Sequence, residues 1–258
     1  MLDNIPKKSL GQHWLNDPTA LEAITRAAEI KPSDIILEVG PGLGALTKYL
    51  TSQAKSVVAV EFDKALARKL ARNKQDNLEV INQDILKFDL TQLPANYKVV
   101  ANIPYYLTSN LLRILSESAN PPATMVLLVQ KEVAERICAT PGDMSLLSVS
   151  AQLYYGCELG VIVPAEKFEP KPKVDSQVVI LRWHKEQLFP VIDARKFFRI
   201  VKAGFSARRK KLRSSLAAGL RISKEEADQL LKTAGIDGNL RAQNLSLEDW
   251  HKLYLDFN

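Results

Sequence analysis

The tetrapeptide Asn102-Ile103-Pro104-Tyr105 combines residue types that one kind of chemistry needs together. An asparagine carboxamide and the carbonyl of the next residue are two neighbouring acceptors. Proline restricts the residue before it and stiffens the turn. Tyrosine offers a flat face on which an unsaturated ring can stack, a contact worth roughly 1–3 kcal/mol per base. Acceptors that hold both hydrogens of an aromatic exocyclic amine favour a nitrogen whose lone pair points outward. That arrangement makes a usable nucleophile of a poor one, such as the N6 amine of adenine. The attacking amine becomes cationic and loses its proton readily, so no strong base is required. Catalysis would rest on positioning and electrostatics. Taken alone, the tetrapeptide reads equally well as a turn with a packed tyrosine.

Its upstream neighbours narrow the reading. Glu38-Val39-Gly40-Pro41-Gly42-Leu43-Gly44 has the spacing of a glycine turn between a strand and a helix, where backbone approaches a ligand closely. Glu61 follows Gly40 by 21 residues and can accept both hydroxyls of a ribose. This pair fits a nicotinamide dinucleotide as well. Pro41 removes an N–H from the turn, which suits a pyrophosphate poorly. Asp84, in Asn82-Gln83-Asp84-Ile85, adds a carboxylate that can accept from an adenine amine. A phosphate-free nucleoside such as S-adenosylmethionine accounts for all three features.

These residues need elements to bring them together. Short apolar runs at 35–39, 56–60, 78–81, 97–101 and 125–129 alternate with helical segments, the pattern of a parallel sheet covered on both faces. In such a sheet the carboxyl ends of neighbouring strands open on one crevice, so Gly40, Glu61, Asp84 and Asn102 converge. An amphipathic helix is expected over 18–30, and Thr108-Ser109 can cap the helix after the tetrapeptide. The runs at 161–163 and 177–181 have no helix between them and suggest an antiparallel addition at the end of the sheet. Beyond a break at Pro190 the pattern is helical. The expected fold is therefore α/β: a doubly wound Rossmann-like sheet with an antiparallel terminal strand, plus a small C-terminal all-helical domain. A boundary near residue 186 gives domains 1–186 and 187–258.

The chain has 258 residues, 46% hydrophobic and 25% charged, with a formal net charge of +6. Eleven Lys and Arg residues lie between Arg195 and Lys224 with no acid among them, so the excess is local. Arg208, Arg209, Lys210, Lys211 and Arg213 are its densest part and the expected contact with RNA phosphates. Lys7 and Lys8 can extend that surface, while Phe197, Phe198 and Phe205 read as core at helical spacing. Two cysteines and three histidines form no metal pattern, and no apolar run approaches the ~20 residues of a membrane span. With no signal-peptide pattern, the default is a cytoplasmic monomer without a membrane partner.

Five stretches identify a resemblance: Lys8-Ser9-Leu10-Gly11-Gln12, Glu38 to Gly44, Asn102 to Tyr105, Gln130-Lys131-Glu132-Val133 and Phe168-Glu169-Pro170-Lys171-Pro172-Lys173-Val174-Asp175-Ser176. Through them the chain resembles the KsgA (RsmA) family of small-subunit rRNA adenine dimethyltransferases from about Lys7 to Leu216. The last stretch is the most discriminating. The resemblance implies N6,N6-dimethylation of two adjacent adenosines in the 3′-terminal hairpin loop of 16S rRNA, within a partly assembled 30S subunit. It further implies that His13, Leu15, Gly40, Gly42, Glu61, Asp84, Ile85 and Asn102 hold S-adenosylmethionine. Phe168 would then pack on the target base opposite Tyr105. Two departures stand out: His13-Trp14 occupies the place of the family's usual Asn and frequent Phe, and Met144-Ser145 that of Tyr-Gly. A dehydrogenase would explain Gly40 and Glu61 but leaves Asp84, Asn102 and Tyr105 without roles. A noncatalytic RNA-binding factor leaves the intact tetrapeptide unexplained.

Overall fold

The computed structural model describes Pro6, residues 11–189 and residues 192–257. Lys7, Lys8 and Pro190 lie outside the described residues. The elements are β1 (Trp14–Leu15), α1 (Pro18–Ala27), β2 (Ile35–Val39), α2 (Ala45–Thr51), β3 (Ser56–Glu61), α3 (Lys64–Ala71), β4 (Leu78–Asn82), β5 (Lys98–Asn102), α4 (Thr108–Ser116), β6 (Thr124–Gln130), α5 (Lys131–Ile137), α6 (Leu146–Gln152), β7 (Tyr155–Val163), β8 (Phe168–Glu169), β9 (Ser176–Trp183), α7 (Ala194–Phe205), α8 (Leu212–Leu220), α9 (Lys224–Thr233) and α10 (Leu247–Asp256).

Seven strands form one sheet in the order β4-β3-β2-β5-β6-β9-β7. Those from β2 to β6 run parallel, while β9 is antiparallel to both β6 and β7. This is the doubly wound sheet with an antiparallel end that the residue pattern predicts. The near-continuous apolar runs exist because central strands are covered on both faces: Ile36, Leu37, Val57, Val99, Val100, Val126 and Leu127 are all buried. On one face, Leu21 and Ile24 of α1 and Leu46 and Leu50 of α2 share a core with Ile36, Val57, Val100 and Val126. α1 starts at Asp17, whose carboxylate accepts from the Ala20 N–H at 2.9 Å, with Pro18 in the first turn. It ends at Ala27, short of the expected Ile30.

Two segments far apart in sequence make a second, two-stranded sheet. β1 pairs antiparallel with β8, matching Trp14 with Glu169 and Leu15 with Phe168. The pairing ties residues just before α1 to the stretch that precedes β9.

The chain forms two compact units. One gathers the chain up to Glu135 together with Tyr155–Trp183, and the other joins Arg136–Tyr154 to the residues from His184 onward. The sequence suggests a single cut near 186; the helical unit also takes in residues 136–154, through Met144, Val149 and Leu153 in its core. Ser145, at a site of family departure, closes a capping box with Ser148 and so starts α6. Phe197, Phe198, Val201, Leu212, Leu216 and Trp250 fill the rest of that core. Phe205, half-buried, packs its ring 5.5 Å from Trp250. No described helix is long and apolar enough to cross a membrane.

Two features of this packing yield tests. A Cβ added at Gly219 of α8 would lie 2.5 Å from the Cα and 2.9 Å from the carbonyl oxygen of Ala203 in α7. Backbone cannot yield as a side chain can, so Gly219→Ala should force α7 and α8 apart. The ordinary gain of a helical Gly→Ala exchange is about 1 kcal/mol. Here overpacking should reverse it, for a net loss of about 1–3 kcal/mol in denaturant unfolding. An unchanged or raised midpoint would contradict the contact.

Glu38, the fourth residue of β2, is only 1% exposed. Burial pushes its carboxyl up to about 8, and the charge of Glu61 adds to the rise. The nearby Thr47 hydroxyl offsets part of this, although neither Glu38 Oε2 nor Thr47 Oγ1 completes a hydrogen bond. The folded chain thus keeps a proton that the unfolded chain releases above about 4.5. The associated stability is whole below pH 4.5 and is lost as pH rises toward 8, to the extent of a few kcal/mol. Glu38→Gln should flatten that decline, gaining on the wild type as pH rises from 5 to 8. Parallel stability curves for the two proteins would show that Glu38 does not titrate in this window.

Candidate active site

The strand order reverses between β2 and β5, and the crevice opens there, beyond the carboxyl ends of the parallel strands. Gly40 and Gly42 after β2, Glu61 at the end of β3, Asp84 and Ile85 after β4, and Asn102 and Tyr105 at and after β5 all line it. His13 and Leu15 line it from the N-terminal side. Every cofactor-site residue expected from the sequence therefore meets in one cleft.

The glycine turn carries positive φ at Gly40, Gly42 and Gly44. At Gly42 (φ +58°) a Cβ would lie 3.5 Å from the Trp14 indole, and at Gly44 (φ +83°) only 2.6 Å from Leu70. The turn's glycine amides are already engaged within the chain. Gly40 N–H donates to the Val60 carbonyl, Gly44 N–H to the Pro41 carbonyl, both at 2.9 Å, and Gly42 N–H to Glu61 Oε2 at 3.0 Å. With Pro41 contributing none, the turn is a poor cradle for a pyrophosphate and a good floor for a ligand without one.

Glu61 is nearly buried and accepts on both oxygens, its Oε1 taking the Asp63 N–H at 2.8 Å. Burial raises its carboxyl above the usual range, while the N–H groups of Asp63 and Gly42 pull it back. Asp84 accepts from the Leu86 N–H at 3.0 Å through Oδ1 and starts a short 3₁₀ turn over Ile85–Lys87.

The other half of the crevice holds the tetrapeptide. Asn102 ends β5, and its Nδ2 donates to the His13 carbonyl at 3.3 Å. The carboxamide is thereby oriented, with Oδ1 left on the opposite side as an acceptor. Ile103 is buried and donates its N–H to the Leu128 carbonyl at 3.2 Å, which fixes the turn to β6. Pro104 leads into a 3₁₀ turn at Tyr105–Leu107, and Thr108 begins α4 rather than capping it. Tyr105 Oη shares a hydrogen bond of 3.0 Å with Ser176 Oγ at the start of β9. Burial raises the phenol above its ordinary range, and the Ser176 bond offsets part of that rise.

The family resemblance assigns Phe168 to the face of the target base opposite Tyr105. It is 5% exposed and packed in the sheet core with Leu15 and Val178. β8 pairs Phe168 with Leu15, a residue distant in sequence, and both side chains are buried in that core. The His13 ring stacks with Tyr105, centroids 5.7 Å apart and planes 23° from parallel.

Several lining residues were not singled out from the sequence. Trp14 Nε1 and Glu38 Oε2 are buried polar atoms without a partner, and both residues line the crevice. Phe62 and Tyr106 line it while remaining 60% and 64% exposed. Large exposed aromatics beside a glycine turn and a base-binding motif are a readable signal; the orphaned indole N–H is not. The basic residues behave as expected of a solvated cluster. Arg208, Arg209 and Lys210 are exposed between α7 and α8. Lys211 donates to Asn239 Oδ1 at 2.8 Å, and Arg213 pairs with Asp228 at 3.6 Å.

Comparison with known proteins agrees with this geometry. The family model described as ribosomal RNA adenine dimethylase matches residues 4–258. A protein of Dehalococcoides mccartyi strain CBDB1 named ribosomal RNA small subunit methyltransferase A is 43% identical over 256 residues, covering 97% of this chain and 88% of its own. Its namesake in Thermosynechococcus vestitus is 43% identical over 253 residues, covering 95% and 94%. Among solved structures, a dimethyladenosine transferase from Plasmodium falciparum superposes with a TM-score of 0.82 at 28% identity, over 95% of this chain and 97% of that one. The 23S rRNA methyltransferase ErmE gives 0.74 at 28% identity, over 94% and 98%. With the family model spanning nearly all of it and relatives this similar along their lengths, the chain belongs to the ribosomal RNA adenine dimethylase family.

Proposed function

We propose that the protein transfers methyl groups from S-adenosylmethionine to the N6 amines of two adjacent adenosines in the 3′-terminal hairpin loop of small-subunit (16S) rRNA. The products are N6,N6-dimethyladenosines, made in the cytoplasm by a monomer acting on a partly assembled 30S subunit. One observation carries this reading above the others. Asn102, oriented by the His13 carbonyl, shares a crevice with Glu61, Asp84 and a glycine turn unsuited to phosphates.

The residues present fit the cofactor. Glu61 accepts the ribose hydroxyls through lone pairs its backbone bonds leave free, and those donors favour its charged form. Asp84 accepts the cofactor's adenine amine through its second oxygen. Gly40 and Gly42 let the backbone approach, with His13, Leu15 and Ile85 as walls. When bound, S-adenosylmethionine supplies an electrophilic methyl on a sulfonium. The Asn102 Oδ1 and the Ile103 carbonyl accept the two hydrogens of the target amine and aim its lone pair into the crevice. Tyr105, held by Ser176, carries the base, and Pro104 stiffens the turn between them. A base presented this way has left its stack, which single-stranded loop nucleotides do at low cost. Arg208, Arg209, Lys210, Lys211 and Arg213 supply the electrostatic part of RNA binding.

Purified protein with labelled S-adenosylmethionine should label immature small subunits at two adjacent adenosines and leave large subunits unlabelled. Label confined to the large subunit would exclude this substrate. Asn102→Ala should lower turnover at saturating cofactor by about 10²–10³, the scale of removing one preorganised polar group. A loss of less than a few-fold would remove Asn102 from the reacting centre. Arg209→Gln should weaken RNA binding and reduce the slope of log affinity against log salt by about 1. An unchanged slope would place that side chain away from phosphate.

A further inference from the structure

Tyr106 directly follows the tyrosine proposed to carry the target base, yet the two side chains are buried to different degrees. Tyr105 is half-buried and tied to Ser176, whereas Tyr106 is 64% exposed while still lining the crevice. We infer that Tyr106 is the stacking platform for the nucleotide next to the target adenosine in the RNA strand. The inference rests on the proposed transfer to a base carried by Tyr105.

Three observations support the placement. The first is the turn. Tyr105–Leu107 is a 3₁₀ turn, and with three residues per turn consecutive side chains leave its axis about 120° apart. Leu107 is buried and Tyr105 half-buried, which leaves Tyr106 the outward direction at the rim of the crevice. The second is support for the ring. A Cβ added at Gly11 would stand 3.5 Å from Tyr106 Cδ1 and 3.7 Å from its Cε1. One edge of the ring therefore rests beside a glycine, with no side chain there to cover it. The third is what the substrate needs. A base carried by Tyr105 has left its stack, so its neighbour on the strand loses a stacking partner. An exposed aromatic one residue along the chain from Tyr105 offers a replacement. Stacking of this kind is tolerant of sequence, because every base has a π-face. One platform thus serves whichever of the two adjacent adenosines is being methylated.

A competing account has a different consequence. Gly11 begins the described segment that leads to His13 and Leu15, both on the cofactor side of the crevice. If Tyr106 only braced that segment over the cofactor, its loss would be felt by S-adenosylmethionine and not by the RNA.

The test compares Tyr106→Ala, Tyr106→Leu and Tyr106→Phe in the full-length protein by kcat and KM on immature small subunits, with S-adenosylmethionine affinity measured by calorimetry. The Ala and Leu variants should lose about tenfold in kcat/KM, Leu showing that bulk without a flat ring does not suffice. Phe should stay within threefold of wild type. Cofactor affinity should change less than twofold in all three. A second arm uses small subunits reassembled on rRNA with one target adenosine and an abasic residue immediately 5′ or 3′ of it. On one of the two sides the abasic residue should cost wild type about tenfold and cost Tyr106→Ala less than twofold more, as expected of two partners in one contact. The inference fails if Ala stays within twofold of wild type, if Phe is as poor as Ala, if the loss follows cofactor affinity, or if the two losses multiply on both sides. Should wild type bind no S-adenosylmethionine and label no adenosine, the broader functional reading fails instead. Thermal unfolding of each variant separates these outcomes from loss of fold, and the exposed position of Tyr106 means that its truncation opens no core cavity.

Discussion

A carboxamide has a donor end and an acceptor end, and the proposed transfer requires the acceptor end to face the target amine. At Asn102 the choice is made by one hydrogen bond, from Nδ2 to the His13 carbonyl. Without it the group can rotate, and in the wrong orientation it presents an N–H to an amine that itself donates. Much of the surrounding structure is what brings that carbonyl into place. His13 directly precedes β1, β1 exists only as the partner of β8, and β8 leads through the proline-rich stretch to Ser176 and β9. Ser176 then returns to the same site by hydrogen-bonding Tyr105. A loop closed over more than 150 residues of sequence fixes two side chains of one tetrapeptide. The Phe168–Ser176 stretch thus ties the site to the sheet: Phe168 is buried in the core, and Ser176 hydrogen-bonds the tyrosine.

The cofactor half follows a different logic. There the fold disposes of backbone donors instead of presenting them. The amides of Gly40, Gly42 and Gly44 are all engaged by the protein's own acceptors, and Pro41 has none to offer. A dinucleotide site built on the same strand-turn-helix geometry needs those amides free. The distinction between the two cofactor classes lies in hydrogen-bond bookkeeping more than in the glycine spacing, which both share. Glu61 links the functions, since the oxygen that takes the Gly42 amide belongs to the carboxylate proposed to receive the ribose.

The sheet and the meeting of Gly40, Glu61, Asp84 and Asn102 were readable in the residue pattern because both follow from local rules. Buried parallel strands must be apolar throughout, and their carboxyl ends must share a crevice wherever strand order reverses. What was not readable depends on long-range pairing. The pairing of β1 with β8 that buries Phe168 beside Leu15 joins segments far apart in sequence, and such register leaves no periodic trace. The same holds for residues 136–154. They sit among sheet-forming segments in sequence, yet Met144, Val149 and Leu153 are buried with the C-terminal helices, a choice made by side-chain complementarity alone. Thr108 was plausible as a cap from its residue type, but the preceding 3₁₀ turn takes over the start of α4, and its hydroxyl donates to the Tyr105 carbonyl.

Two buried polar atoms in the crevice, Trp14 Nε1 and Glu38 Oε2, are left without partners. Each such group costs about 1–3 kcal/mol, a sizeable fraction of an ordinary domain's stability. A protein selected for stability alone would replace Trp14 with phenylalanine, common in the family at that place, and Glu38 with an apolar residue suited to its strand. Both residues line the crevice beside Glu61, whose carboxyl burial also raises. The sheet core is continuous with the crevice through Leu15, which contributes both to the wall and to the cluster containing Phe168.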